Sequence, residues 1–114
     1  MADTRRTLGA QGEAATASWY VERGWAVLDR NWRCREGEID LVVRRGERIV
    51  FCEVKTRTTD RFGGGAAAVT PAKQARLRRL AMLWLASHSD KAGAVRFDVA
   101  VVESSGVRVI EGAF

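Results

Sequence analysis

The stretch GEIDLVVRRGERIVFCEVKT, residues 37–56, sets Asp40, Glu53 and Lys55 into runs of Val, Ile, Leu and Phe. It reads as two apolar strands around a turn at Gly46 and Glu47, since glycine at the first central position suits a two-residue hairpin. That turn predicts a register with Asp40 directly opposite Glu53, and Glu38 opposite Lys55. Alternation then puts Glu38, Asp40, Val42, Phe51, Glu53 and Lys55 on one face, and Ile39, Leu41, Val43, Val50, Cys52 and Val54 on the other. Two acids on directly opposed residues have Cβ atoms roughly 5 Å apart, and their carboxylates would repel by about 3 kcal/mol at an effective dielectric of about 20. A shared proton, a basic neighbour such as Lys55, or a divalent cation held by both carboxylates would relieve this. The bland alternative is a solvated patch neutralised by Lys55 and nearby arginines.

The elements that must position these groups are legible from pattern. LGAQGEAATASWYVERG has small and apolar residues at helical spacing, with Ala14, Ala17, Tyr20 and Val21 on one side, Glu13 on or beside that side, and Gly24 as a stop. WAVLDRNWRC alternates as a strand ahead of the charged pair. TRTTDRFGGGAAAV has neither period nor bulk and predicts a mobile loop over 57–69, and residues 1–8 are expected to be flexible. No Walker lysine follows the three glycines, which excludes a P-loop. Thr70 and Pro71 open a second helix as N-cap and first residue, with Leu77, Leu80, Ala81 and Trp84 as its apolar stripe to about Ser87. AVRFDVAVV and GVRVIEGAF follow as strands joined through ESSG. The expected order is α-β-β-β-α-β-β, an α/β domain with a mixed sheet flanked by helices.

One domain is all that 114 residues allow. Arg5 and Arg6 precede no apolar run, so the expectation is a cytoplasmic protein without a membrane segment. Two cysteines and one histidine lack metal-ligand spacing, which leaves hard-cation chemistry on carboxylates. The formal net charge of +5 is concentrated. Lys55, Arg57, Arg61, Lys73, Arg76, Arg78 and Arg79 face the single acid Asp60 within residues 55–79, the footprint of a polyanion-binding surface or of a solvated helix face. Basic residues are 16 arginines against three lysines, and two of the lysines are Lys55 and Lys73. An ammonium can shift its pKa and hold or activate water, which a guanidinium does not. Lys73 falls one turn before Leu77, turned inward relative to the other basic residues of its helix.

An acid on the first helix, then Asp40, then Glu53-Val54-Lys55 in adjacent strands, then a basic helix, resembles the PD-(D/E)XK nuclease superfamily with its restriction-endonuclease-like fold. GEAA, RNWRC, GEIDLV, EVKTR, the basic helix and RFDVA, in this order, more closely resemble the bacterial YraN family, itself similar to archaeal Holliday junction resolvases. The resemblance covers roughly residues 9–114. Ile39 stands where the superfamily has a proline before the acid, which leaves the carboxylate in place. The resemblance implies a Mg²⁺- or Mn²⁺-dependent endonuclease acting on DNA, with branched DNA among the substrates and a homodimer as the assembly. Asp40, Glu53 and the Val54 carbonyl would hold the ion, Lys55 would position or deprotonate the attacking water, and Glu13 would bind a second ion or orient a water. Lys73 would contact phosphate near the site, and Arg57, Arg76, Arg78 and Arg79 would carry the nucleic acid. The alternatives are a non-catalytic DNA-binding module of the same fold, or an interaction protein using Trp19, Trp25, Trp32 and Trp84. Tryptophan is more often core than platform, and acids facing phosphate gain a pure binder little.

Overall fold

A computed structural model describes residues 4–57 and 69–114, with side chains from residue 9 onward in the first helix. The order along the chain is α1 (Thr4–Val21), β1 (Ala26–Cys34), β2 (Gly37–Arg45), β3 (Arg48–Thr56), α2 (Pro71–Ser87), β4 (Ala94–Glu103) and β5 (Gly106–Ile110). This is the α-β-β-β-α-β-β order expected, in a restriction-endonuclease-like α/β architecture. The strands form one sheet in the order β1-β2-β3-β4-β5. It is mixed: β3 pairs with β4 in parallel and the other neighbours are antiparallel. Of the loop expected over 57–69, residues 58–68 lie outside the described residues, as do the side chains of residues 1–8. The described ends of that segment are anchored: the Arg57 N–H donates to the Val102 carbonyl at 2.8 Å, and Val69 is buried.

Period-two alternation sorts the central strands into two cores. Ile49 and Phe51 of β3, with Val99 and Val101 of β4, pack on the α2 side against Leu77, Leu80, Ala81 and Trp84. Val50 and Cys52, with Leu41, Val43 and Ala100, pack on the α1 side against Ala17, Tyr20 and Trp25. α2 starts as its sequence requires: the Thr70 hydroxyl accepts the Lys73 N–H, and Pro71 occupies a position whose N–H would have no helical partner. Gly12 lets α1 lie against the end of β3, because a Cβ there would collide with the Thr56 Oγ1.

Three expectations about faces are corrected. Ala14 and Val21 are exposed, whereas Ala17 and Tyr20 are buried as expected and Thr16 joins them, its hydroxyl donating to the Gly12 carbonyl. Ile39 joins the α2 core rather than the Leu41 face. Asn31 lies between the Arg30–Leu41 and Trp32–Ile39 pairs at a φ of +51°, a conformation asparagine tolerates, and the register of the β1–β2 ladder shifts between Val27 and Asp29. Trp25 and Trp84 are core, whereas Trp19 and Trp32 are half-buried. No helix among the described residues is long and apolar enough to cross a membrane.

Asp98, in the RFDVA segment, is fully buried on β4. Tyr20 Oη donates to its Oδ2 at 2.5 Å, Arg96 forks onto both oxygens at 2.8 and 3.0 Å, and the Gly112 N–H donates to Oδ1 at 3.0 Å. One carboxylate thus ties α1 and the C-terminal residues to the sheet. Tyr20→Phe deletes a buried bond to a charged acceptor, and a loss of about 1.5–3 kcal/mol is expected in urea unfolding. A change below about 0.5 kcal/mol would show that α1 does not depend on this bond.

Candidate active site

The predicted register holds from Arg45–Arg48 through Leu41–Cys52, closed by Gly46 at a φ of +61°. There the β2–β3 ladder ends, so Asp40–Glu53 and Glu38–Lys55 do not pair as expected. β3 continues on β4 as far as Thr56–Val102, while β2 continues on β1, where Glu38 pairs with Arg33. The two strands part, and the Val54 N–H donates to Asp40 Oδ2 at 2.8 Å in place of a backbone partner. N–H and C=O of one residue in an extended strand point to the same side, so the Val54 carbonyl faces this fork as well.

The fork opens into a cleft of about 250 Å³ lined by Gly37, Glu38, Asp40 and Glu53 from the sheet and by Lys73, Arg76, Leu77 and Leu80 from α2. Glu53 Oε1 carries two ammonium groups: Lys73 Nζ at 2.7 Å and Lys55 Nζ at 3.6 Å. Asp40, Glu53, Lys55 and Lys73 are therefore neighbours, and the closer counter-ion to Glu53 comes from α2 rather than from the strand.

The other candidates are divided between this cleft and other hollows. Glu13 lines a separate hollow of about 390 Å³ with Gly9, Ala10, Asn31, Arg33 and Glu38. Among the described residues no three of His, Cys, Asp and Glu converge to hold an ion, and Glu13 acts on Asp40 through its charge. Arg76 lines the cleft and Arg79 is exposed. Arg78 turns toward the C-terminal aromatics, its guanidinium 5.8 and 5.3 Å from the Phe97 and Phe114 ring centroids. Arg57 lines a third cavity, on the α1 side, with Gln11, Gly12, Thr56 and Glu103.

A family model described as "Uncharacterised protein family UPF0102" matches residues 12–102. The chain belongs to this family. It is the YraN family of the sequence resemblance. The chain is 55% identical to a UPF0102 protein of Frankia casuarinae over 112 residues, 94% of this chain and 95% of the relative. It is 53% identical to one of Frankia alni, covering 94% and 93%, and 51% identical to one of Mycolicibacterium vanbaalenii, covering 96% and 90%. In this UPF0102 chain the matched segment contains Asp40, Glu53, Lys55 and Lys73.

Crowded acids and burial set the electrostatics. Burial, then the Glu53 charge, pushes the Asp40 carboxyl up to about 7 against the pull of the Val54 N–H, and Glu13 and Glu38 add to the rise. Burial raises Glu13 too, countered by a hydrogen bond from Asn31. Burial and the adjacent Lys73 lower the Lys55 ammonium despite Glu53; for Lys73, burial is the largest single influence but is outweighed by the bond to Glu53 and its charge together with Lys55 and Asp40, so that ammonium is raised. The pattern put Glu38 on the charged face without giving it a role; it lines both acidic hollows and holds Arg33 at 2.8 Å. Its signal was its place two residues before Asp40.

A carboxyl raised by folding keeps its proton while the unfolded chain has lost it, so stability falls as pH rises from about 4 to about 7 and the deficit stays constant above. Asp40→Asn keeps an acceptor for the Val54 N–H and abolishes the titration. In EDTA, urea unfolding should find this variant close to wild type at pH 4 and more stable at pH 8, by about 1–3 kcal/mol. Parallel stability curves for the two proteins would mean that Asp40 carries no such strain.

Proposed function

We propose that this UPF0102 protein is a Mg²⁺- or Mn²⁺-dependent DNA endonuclease that hydrolyses phosphodiester bonds. The observation that carries the reading is the fork: two carboxylates, a backbone carbonyl and a half-buried lysine meet where β2 and β3 part, under the basic first turns of α2. The donors fit a hard cation, since Mg²⁺ is held by one or two carboxylates with waters and phosphate oxygens completing its shell. Asp40, Glu53 and the Val54 carbonyl would hold the ion. Bound there, it would supply charge neutralisation at the phosphate and a lowered pKa for water.

The rest belongs to the chain's own side chains. Lys55, with its ammonium shifted down by burial and Lys73, is the group nearest to accepting a proton from an attacking water, and β4 holds its strand in place. Lys73 and Arg76 stand where phosphate would enter, and Arg79 extends the same charge along α2. Leu77 and Leu80 form the apolar side of the cleft and limit water there. Such contacts fix a nucleic acid by its backbone and read no sequence, which suits a substrate chosen by shape, such as branched DNA.

A panel of linear, single-stranded, flapped and four-way DNA with Mg²⁺ or Mn²⁺ tests this. Wild type should cleave at least one substrate, and Lys55→Ala should cut about 10²-fold more slowly while binding within a few fold. Protein that binds DNA and stays inert across the panel, with Asp40→Asn as the control for contaminating nuclease, would make it a DNA-binding module instead.

A further inference from the structure

Lys73 reaches Glu53 from a different element than the rest of the site. It sits in the first turn of α2, its own N–H fixed by the Thr70 hydroxyl at 3.2 Å, and its ammonium meets Glu53 Oε1 at 2.7 Å. Lys55 approaches the same oxygen at 3.6 Å from within β3, whose backbone is pinned to β4 on both sides of it. A divalent ion on Glu53 would add two charges beside two ammonium groups. Release of one of them would relieve that crowding. Both stand on flexible four-carbon stems, but Lys73 lines the cleft beside Arg76 and is the more exposed of the two, whereas Lys55 is not part of the cleft lining.

We propose that Lys73 is a tethered cation that occupies Glu53 until a divalent ion replaces it, and that the displaced ammonium then binds nucleic-acid phosphate. The inference rests on the proposed ion and DNA sites. One side chain would then serve both sites: in the metal-free protein it satisfies Glu53, and with the ion bound it joins Arg76 on the basic face. Ion and DNA binding would favour each other through it, and by linkage each must raise the other's affinity by the same factor.

Arg76 supplies the control, because it lines the same cleft and carries the same charge yet has no ion pair with Glu53 among the described residues. Mn²⁺ binding without DNA is measured by calorimetry on wild type, Lys73→Gln, Lys73→Arg and Arg76→Gln. Lys73→Gln should bind Mn²⁺ about fivefold or more tighter than Arg76→Gln does, and Lys73→Arg, which keeps a cation for Glu53, should stay within about twofold of wild type. Anisotropy with a four-way DNA and Ca²⁺ reads the second half: DNA affinity should rise on adding the ion to wild type and to Arg76→Gln, and lose most of that rise in Lys73→Gln. Equal behaviour of Lys73→Gln and Arg76→Gln, in a wild type that binds both ligands, overturns the exchange alone. A wild type that binds no ion overturns the proposed function with it.

Discussion

The site depends on a change of partner in β3. Up to Cys52 its N–H and C=O groups on one side are met by β2; at Val54 the N–H is met by the Asp40 carboxylate instead. A backbone donor inside a sheet must be paired, and a side-chain acceptor supplied by the neighbouring strand does so while ending the ladder. The same bond therefore opens the fork and holds a carboxylate in it. Both strands stay extended beyond the fork because each has another neighbour, β2 on β1 and β3 on β4. Without those outer pairings the parted ends would be free strands, and Asp40 and Glu53 would have no fixed separation.

That geometry costs electrostatic energy, and the surroundings show how it is met. Asp40 is shifted toward its protonated form by burial and by Glu53, and Glu53 draws in two ammonium groups. The contrast with Asp98 is instructive. Asp98 is more deeply buried, yet it has a forked arginine, a tyrosine and a backbone N–H, so its acceptor capacity is filled by groups that belong permanently to the fold. A filled carboxylate of that kind fastens elements together. Asp40 accepts one backbone bond at 2.8 Å and lines an open cleft, the condition of a carboxylate able to take a further ligand.

Much of this was legible in the sequence. The hairpin turn, the element order, the cap of α2 and its stripe follow from local rules about glycine, proline and period, and those rules act within a few residues. The parting of β2 from β3 was not legible, because the turn sets the register where the strands pair and says nothing about where pairing stops. That limit depends on the pairings with β1 and β4, which come from other parts of the chain. Lys73 was placed toward the site from its helical phase, but its hold on Glu53 needed the packing of α2 on the sheet. Glu13 was legible as an acid on α1, whereas its place in a hollow that shares Glu38 with the cleft was a matter of tertiary arrangement. Asp98 was visible as a motif residue and silent as to role, since its partners come from α1, its own strand and the residues after β5.

Connectivity explains why basic groups meet the acids at this end of the sheet. β3 and β4 are parallel neighbours, so the chain must cross from the end of one to the start of the other, and α2 makes that return. Its N-terminus consequently lies toward the carboxyl end of β3, where Glu53, Val54 and Lys55 are. A helix N-terminus favours anions, and open α/β sheets place ligands beyond the carboxyl ends of their strands for this reason. Glu53 beside that N-terminus is the local expression of that rule, with Lys73 of the first turn as its counter-ion. Moving the acids to the opposite end of β3 would set them beside the C-terminus of α2, where the helix dipole would oppose them, so the position of the site follows from the crossover as much as from the residues that line it.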